Sequence, residues 1–253
     1  MGHSLVTGIV TRCVDYKDND RILTIFTRER GRIDAKARGC RRAKSPLLPA
    51  CQPFVFGEFQ LFSAKGDQYL IDQCDMRESF YGIREDIQRL CAGTCMLSLA
   101  QTAIQPEEPN ERLFSLLYYG LSFLCYGQGS PLDLTLCFIL RYLDAIGFCP
   151  AITQCASCAK DLRREKEMRF SPAAGGAVCQ TCGFGALPVA PLTLEAMRRM
   201  LLLEDGQMQR VHLPEAVQQE LLQALTAYCA HVLERDYKAI DLFKQFYTGV
   251  SKK

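Results

Sequence analysis

The spacing of apolar and polar positions divides the chain into two parts. From residue 5 to about residue 78, apolar and β-branched side chains alternate with polar or small ones over short runs, which is the period of a β-strand. From about residue 80 onward, apolar side chains recur every three to four positions, which is the period of an amphipathic helix. We therefore predict a β-rich N-terminal part followed by an α-helical part.

Five short strands are predicted in the N-terminal part. They cover residues 5–14, 21–28, 33–38, 53–62 and 68–74, with a turn at Gly31-Arg32 and a hairpin signal at Lys65-Gly66-Asp67. Gly8 and Gly57 lie where the strands of a tight barrel must bend. Five strands within this length favour an OB-fold barrel, closed or partly closed.

The helical part contains five apolar stripes, which we interpret as core-packing faces. They are Ile83, Ile87, Leu90, Cys91, Thr94 and Leu97; Leu113, Leu116, Leu117, Leu121 and Leu124; Leu132, Leu136, Ile139, Leu140, Leu143 and Ile146; Leu194, Met197, Met200 and Leu201; and Val217, Leu221, Leu225, Tyr228 and Val232. Gly147 and Pro150 end the third helix, and the last helix begins near Pro214. A Cys- and Gly-rich insert separates the third stripe from the fourth.

Composition narrows the class of protein. Hydrophobic residues make up 48% of the 253 positions and charged residues 23%, which excludes disordered, collagen-like and coiled-coil chains. The N-terminus lacks the basic and apolar regions of a signal peptide, and no apolar run approaches the length of a membrane span. We expect a cytoplasmic protein with no membrane partner, whose 14 cysteines stay reduced.

Four of the cysteines have the spacing of a metal site. Cys155 and Cys158 form one CxxC pair, and Cys179 and Cys182 form a second pair after twenty intervening residues. Two such turns supply four thiolates for tetrahedral Zn²⁺ and leave no position open for water, so we predict one structural zinc per chain. A redox CxxC pair or an iron–sulfur cluster fits the spacing less well. We interpret Cys149 as an apolar filler or a spare thiol.

The second candidate site is a basic run between residues 28 and 44. Its members are Arg28, Arg30, Arg32, Lys36, Arg38, Arg41, Arg42 and Lys44, opposed only by Glu29 and Asp34. These eight basic and two acidic residues give the run a charge of +6, although the whole chain carries only +2. Charge runs are usually solvated surface, but this imbalance and the bias toward arginine favour phosphate contact.

The even spacing of residues 30, 32, 36 and 38 places these side chains on one face of a strand, apart from the turn. A basic strand face that continues into a basic loop is typical of a single-stranded nucleic acid groove on an OB fold. Only Tyr16, Phe26 and Tyr69 could stack on bases nearby, and Phe26 is better explained as core. We therefore predict binding through the nucleic acid backbone, independent of base sequence.

Sequence motifs for catalysis are absent. His3, His212 and His231 have no recognisable nucleophile or metal partner in the sequence, and the GxSxG, GxxxxGK[ST], GxGxxG and HExxH patterns do not occur. We predict a non-enzymatic protein with no catalytic residues and no small-molecule substrate.

Several of these segments, taken in order, resemble the bacterial RecO family of recombination mediators. The matching segments are residues 8–10, 20–27, 31–33, 38–45, 48–54, 80–81, 113–114 and 141–150, with Phe170-Ser171-Pro172 and Gly175-Gly176 between the two CxxC pairs. Each motif is modest alone, and their shared order makes the resemblance specific.

The resemblance implies a multidomain α+β protein with an N-terminal five-stranded OB fold and an α-helical domain into which a four-cysteine zinc module is inserted. It also implies binding of single- and double-stranded DNA, annealing of complementary strands, and help in loading recombinase onto DNA coated with single-strand-binding protein. This is a role in the RecF pathway of DNA repair, and it implies a nucleoid-associated protein. The implied partners are RecR and the C-terminal tail of single-strand-binding protein.

We accordingly predict an OB-fold DNA-binding domain at residues 1–79, a helical domain at 80–150 and 187–253, and a zinc module at 151–186. The zinc would order an insert that otherwise lacks a core. The acidic, Phe-ended tail of single-strand-binding protein requires an apolar pocket beside basic residues, for which Arg112, Arg141 and Arg198-Arg199 are candidates. Three alternatives stay open: an RNA-binding transcription or translation factor, a nuclease, and a thiol oxidoreductase.

Overall fold

The computed structural model describes residues 2–63, 69–233 and 238–250. Its N-terminal part consists of five strands: β1 at His3–Tyr16, β2 at Asp20–Thr27, β3 at Gly31–Ala37, β4 at Phe56–Ser63 and β5 at Tyr69–Glu78. The predicted hairpin at Lys65-Gly66-Asp67 lies outside the described residues. All five predicted strands are present, with ends that differ by a few residues.

These strands form a closed barrel in the order β1-β2-β3-β5-β4. Every neighbouring pair is antiparallel except β3 and β5, which are parallel. Alternation along the strands fills the barrel with buried side chains, among them Val10, Leu23, Ile25, Phe59 and Leu61. The predicted OB-like barrel is confirmed.

Gly8 and Gly57 are needed because neighbouring chains approach them closely. The two residues are paired in register between β1 and β4. A Cβ atom on Gly8 would lie 2.5 Å from Cγ2 of Ile25, and one on Gly57 would lie 2.6 Å from the carbonyl oxygen of Asp75. Both distances are shorter than non-bonded contact permits, so a side chain at either position would force the barrel wall apart.

The predicted turn at Gly31-Arg32 is displaced. The structure forms the turn at residues 28–30, and Gly31 already begins β3 with a φ of +63°. Gly31 and Arg32 both bridge to Pro106, in the linker that precedes the second long helix. This pairing extends the strand toward the helical part and was invisible in the local sequence.

The helical part contains seven α-helices within the described ranges. They are α1 at Gly82–Glu85, α2 at Ile87–Ala103, α3 at Glu111–Tyr126, α4 at Pro131–Ala145, α5 at Pro191–Leu202, α6 at Glu215–Val232 and α7 at Lys238–Val250. The side chains of Asp86, Asn110 and Ser130 cap α2, α3 and α4 by accepting a backbone N–H in the first turn. Helix α7 was not predicted as a separate helix. None of the helices in these ranges is long and apolar enough to cross a membrane.

The apolar stripes of α3 and α4 are buried as predicted apart from the half-buried Ile146, whereas the first stripe is only partly correct. Asp86 is extended and separates Ile83, on α1, from the rest of that stripe. Of the predicted residues on α2, Leu97 is buried, Leu90 and Cys91 are half-buried, and Ile87 and Thr94 are exposed. The buried face of α2 also contains Ala92, Cys95, Met96, Leu99 and Ala100. Small residues on this face allow α3, α4 and α7 to pack closely against α2.

The barrel and the helices share apolar contacts. Ile9, Phe26 and Phe54 belong to the same buried cluster as the helical core. The ring of Phe26 meets the ring of Phe114 on α3 edge to face, with centroids 5.3 Å apart. One end of the barrel is therefore held against α2 and α3.

Candidate metal centre and nucleic-acid interface

The insert between α4 and α5 folds around a small sheet. Its strands are β6 at Met168–Ser171, β7 at Gly176–Cys179 and β8 at Leu187–Val189, in the order β7-β6-β8. Cys179 ends β7 and Cys182 lies in the turn that follows. The backbone N–H of Ala156 donates to the carbonyl of Ala177 at 2.9 Å, which ties the first CxxC turn to the same strand. The polar, turn-rich sequence concealed this sheet.

The four predicted ligands converge on one point. The Sγ atoms of Cys155, Cys158, Cys179 and Cys182 all lie within 4.8 Å of one another, and those of Cys158 and Cys179 are 3.8 Å apart. A tetrahedral zinc ion with Zn–S bonds of about 2.3 Å requires sulfurs about 3.8 Å apart. The cluster therefore fits Zn²⁺ in both donor chemistry and size.

The surroundings of the cluster stabilise the thiolate form of two of the four cysteines. The Thr181 hydroxyl, 3.0 Å away, and then the backbone N–H of Cys182 lower the pKa of Cys179 to about 6. For Cys155 burial opposes ionisation, but backbone N–H donors from Cys179, Cys158 and Ser157 outweigh it and lower its pKa. Neighbouring thiols raise the pKa of Cys182 to about 12. Four thiolates this close need a bound cation to offset their repulsion.

The insert has apolar side chains in the main core, so the expectation of a coreless segment is wrong. Phe170 and Val178 are fully buried, and the Phe170 ring packs edge to face on Tyr228 of α6 with centroids 5.7 Å apart. Cys155 and Cys179 face this core while Cys158 and Cys182 are exposed. Among the described residues Cys149 is outside the metal-binding group, and burial, then Asp144, raises its pKa to about 11.

Five of the eight predicted DNA-binding residues are engaged by carboxylates. The pairs are Arg28 with Glu111 at 3.4 Å, Arg30 with Glu107 at 2.5 Å, Arg32 with Asp34 at 3.5 Å, Lys36 with Asp20 at 2.9 Å and Arg41 with Asp15 at 3.4 Å. Only Arg32 and Lys36 of these five lie on β3, whereas Arg28 and Arg30 lie in the turn before it and Arg41 lies in the loop after it. The predicted basic strand face is therefore limited to two side chains, and carboxylates neutralise both.

The other three residues form what we call the basic loop, Arg38, Arg42 and Lys44. All three are exposed, and no carboxylate oxygen among the described residues lies within 4.0 Å of their charged nitrogens. They follow β3 in a segment anchored by the buried side chains of Cys40 and Leu47. The buried anchors hold this segment in place, and its three cations are available to an anionic ligand.

Two backbone N–H groups of the loop segment tie it to the β1–β2 turn and to the first residue of β2. The N–H of Gly39 donates to Oδ1 of Asp20 at 2.8 Å, and the N–H of Arg41 donates to the carbonyl of Asn19 at 3.1 Å.

The two aromatic candidates for base stacking, Tyr16 and Tyr69, already contact cations. The Tyr16 ring lies 4.6 Å from Nζ of Lys36, and the Tyr69 ring lies 5.1 Å from the guanidinium of Arg30. Phe26 is core, as expected.

An apolar groove of about 310 Å³ lies between α5 and the segment that precedes α6. Leu192, Met200, Leu203, Leu213 and Val217 line it, together with Arg199, Arg210 and His212. Only Arg199 of the predicted arginines reaches this groove. Sequence reasoning missed Arg210 and His212 because Arg210 ends a short 3-10 helix, Asp205–Arg210, and His212 follows it, outside any periodic stripe.

The other candidate arginines have structural partners. Arg112 pairs with Asp144, and Arg141 pairs with Asp205 at 2.5 Å while donating to the carbonyl of Met200. Arg198 donates to the carbonyl of Ile152 at 2.9 Å. These three side chains brace neighbouring elements of the fold.

Comparison with known proteins gives consistent matches along the chain. Two family models match in succession: Recombination protein O N terminal over residues 1–80, and Recombination protein O C terminal over residues 84–240. A protein of Acetivibrio thermocellus named DNA repair protein RecO is 32% identical over 247 residues, covering 96% of this chain and 97% of its own length. A protein of the same name from Symbiobacterium thermophilum is 33% identical over 241 residues, covering 92% and 94% respectively.

Proposed function

The chain belongs to the RecO family of DNA repair proteins, and from that premise we propose that it is a non-enzymatic recombination mediator that binds DNA through its basic loop. Arg38, Arg42 and Lys44 carry this proposal, because they are exposed cations without a carboxylate partner in the described parts of the chain. Guanidinium and ammonium groups bind phosphate in single- and double-stranded DNA alike, so neither form is excluded.

In this proposal the protein anneals complementary strands by neutralising phosphate charge that would keep two strands apart. It helps to load recombinase in the RecF pathway on chromosomal DNA in the cytoplasm, together with RecR. The name of these relatives, DNA repair protein RecO, supports a repair role for this chain. The cysteine cluster holds one structural Zn²⁺, as its donor set and its 3.8 Å sulfur separation support.

We also propose the predicted division into an OB-fold domain at 1–79, a zinc module at 151–186 and a helical domain on either side of that module. The barrel has an apolar cluster of its own, which supports the first boundary. The module's shared core with α6 supports a tight attachment to the helical domain.

The test of this function is strand annealing. The protein is expected to accelerate pairing of two complementary labelled oligodeoxynucleotides, measured by energy transfer, with a rate that falls as salt increases because phosphate contacts release counterions. The pairing rate should not change when both strands are replaced by another complementary pair of equal length. A strong preference for RNA of equal length would instead favour the RNA-binding alternative, and strand cleavage in Mg²⁺ would favour a nuclease.

We propose that the apolar groove between α5 and the segment that precedes α6 binds the acidic, Phe-ended tail of single-strand-binding protein. Its apolar lining suits a phenyl ring, and Arg199, Arg210 and His212 at its rim suit carboxylates. Arg210→Glu is expected to weaken binding of a synthetic tail peptide about tenfold or more, in a fluorescence anisotropy titration, because it replaces attraction by repulsion. Arg164→Glu makes the same charge change on the zinc module and should leave affinity unchanged; equal losses would contradict this placement.

A further inference from the structure

The guanidinium of Arg30 is already bound as it would be by a phosphate. Its Nε donates to Oε2 of Glu107 at 2.7 Å, and its Nη2 donates to Oε1 at 2.5 Å. The Tyr69 hydroxyl lies 2.6 Å from the same Nη2 and donates to Oε1 of Glu107 at 3.3 Å. This two-point fork matches the geometry in which arginine binds either a carboxylate or a phosphate.

Backbone contacts of the linker between α2 and α3 position Glu107 next to Arg30. The linker 104–110 joins α2 to α3, and its Gln105 carbonyl accepts the N–H of Arg32 at 2.9 Å. The linker lies so close to β3 that a Cβ atom on Gly31 would be 2.3 Å from the carbonyl oxygen of Glu108. Glu107 itself has a φ of +58°, an uncommon conformation for a residue with a side chain. The carboxylate is thus held in place by the junction of barrel and helices.

The acidic contact extends to the neighbouring arginine. Glu111, the first residue of α3, lies 3.4 Å from Nε of Arg28. Both side chains of this second pair are more than half exposed, so the pair is weaker than the fork on Arg30. The two carboxylates come from the helical part and both cations from the barrel. The basic run therefore begins at a turn, residues 28–30, whose two arginines the helical part has already neutralised.

We propose that Glu107 is a built-in competitor of DNA phosphate at Arg30, which confines bound DNA to the basic loop while the ion pair is closed. This inference rests on the proposed function, since it assumes that the basic run binds DNA. A phosphate can reach Arg30 only by displacing the carboxylate, so the contact sets where the DNA path ends and limits affinity.

Two variants of equal charge change test the proposal. Glu107→Gln keeps the shape of the side chain but removes its charge, whereas Glu108→Gln removes an exposed charge one position away that has no ion pair within the described residues. Binding of labelled oligothymidylate is measured by anisotropy across a salt series. For Glu107→Gln we expect tighter binding and a log–log slope steeper by roughly 0.7, so that an about fourfold rise in salt costs it about 2.6-fold more affinity than wild type.

The proposal also requires that Arg30 make no contact with DNA phosphate in the wild-type protein. Arg30→Ala alone should leave the slope unchanged, whereas Arg42→Ala should flatten it by roughly 0.7. The double variant Arg30→Ala/Glu107→Gln should lose the gain of Glu107→Gln. Thermal melts identify any variant that is poorly folded. Arg30→Ala and Glu107→Gln both remove the Arg30–Glu107 ion pair, so the melting temperature of Arg30→Ala shows how much loss of this pair lowers stability.

Each outcome decides the matter. Equal effects of Glu107→Gln and Glu108→Gln would refute the proposal that Glu107 competes with phosphate, and so would a flatter slope for Arg30→Ala. Either result would leave the proposed DNA binding by the basic loop intact. If neither the wild-type protein nor any variant binds the oligonucleotide in a salt-dependent way, the proposed function itself fails, and the inference fails with it.

Discussion

Replacing Cys179 by Ser is expected to abolish zinc binding and to loosen the whole insert. A structural zinc site contributes about 10–16 kcal/mol to the folding of an isolated zinc-finger peptide. Here β6, β7 and β8 also pack on the helical core, so we expect a smaller loss, on the order of several kcal/mol, in the free energy of unfolding. The metal content is measured by elemental mass spectrometry, and the stability by urea unfolding.

Hydrogen exchange shows how far this loss extends. Protection should fall in β6, β7 and β8 and on the α6 face around Tyr228, whose ring contacts Phe170. The apolar cluster inside the barrel consists of barrel residues and the loop that follows β3, so its strands should stay protected. Removal of the metal by a chelator should reproduce this pattern in the wild-type protein.

Cys149→Ser is the matched control, because it removes a thiol near the insert that is outside the four-sulfur group. It should retain one zinc per chain and wild-type stability. Loss of zinc from this variant, or global unfolding of the barrel in Cys179→Ser, would contradict a local structural site. A wild-type protein without zinc, whose mass shows a Cys155–Cys158 disulfide, would favour the thiol oxidoreductase alternative.

Removing the basic loop is expected to have the second large effect. The triple variant Arg38→Ala/Arg42→Ala/Lys44→Ala loses three exposed cations without a carboxylate partner among the described residues. Each lost phosphate contact flattens the log–log salt dependence for single-stranded DNA by roughly 0.7, so the slope should fall by about 2 and affinity by about a hundredfold at about 0.1 M salt. Anisotropy titrations with labelled oligothymidylate measure both quantities.

The control variant removes the same number of charges elsewhere. Arg163, Arg164 and Lys166 are exposed on the zinc module, and their replacement by Ala should leave the slope almost unchanged. Lys36→Ala should also have a small effect, because Asp20 already neutralises that ammonium at 2.9 Å. Equal flattening by both triple variants would mean that total charge, and not the basic loop, governs binding.

Several parts of this protein were accessible from local sequence. Alternating apolar and polar side chains predicted five strands, and the glycines at 8 and 57 indicated a tight barrel. Both signals are local, because a half-buried strand requires alternation and a position closely approached by a neighbouring strand requires glycine. The CxxC spacing predicted a four-thiol cluster, because each pair of ligands lies within one turn. The stripes of α3 and α4 were also predicted correctly, since most of their apolar residues face one core.

Errors arose where distant segments decide the environment. Ile87 fits the helical period but is exposed, because the neighbours of α2 pack on its small residues instead. The sheet of the insert went unpredicted, since its short strands depend on pairing across a polar segment. Arg210 and His212 lie in the α5 groove because a short 3-10 helix, Asp205–Arg210, and the residues after it fold back there, and no apolar stripe marks that segment.

Sequence alone determined which residues this protein possesses for its chemistry: four thiols with metal-ligand spacing and eight cations in one short run. Only the tertiary structure decided which of those cations have no carboxylate partner. Glu107 and Glu111 lie more than seventy positions beyond the arginines they contact, and no local pattern encodes such a pairing. The physical reason is that a charge's availability depends on the nearest opposite charge in space, and the fold sets that distance.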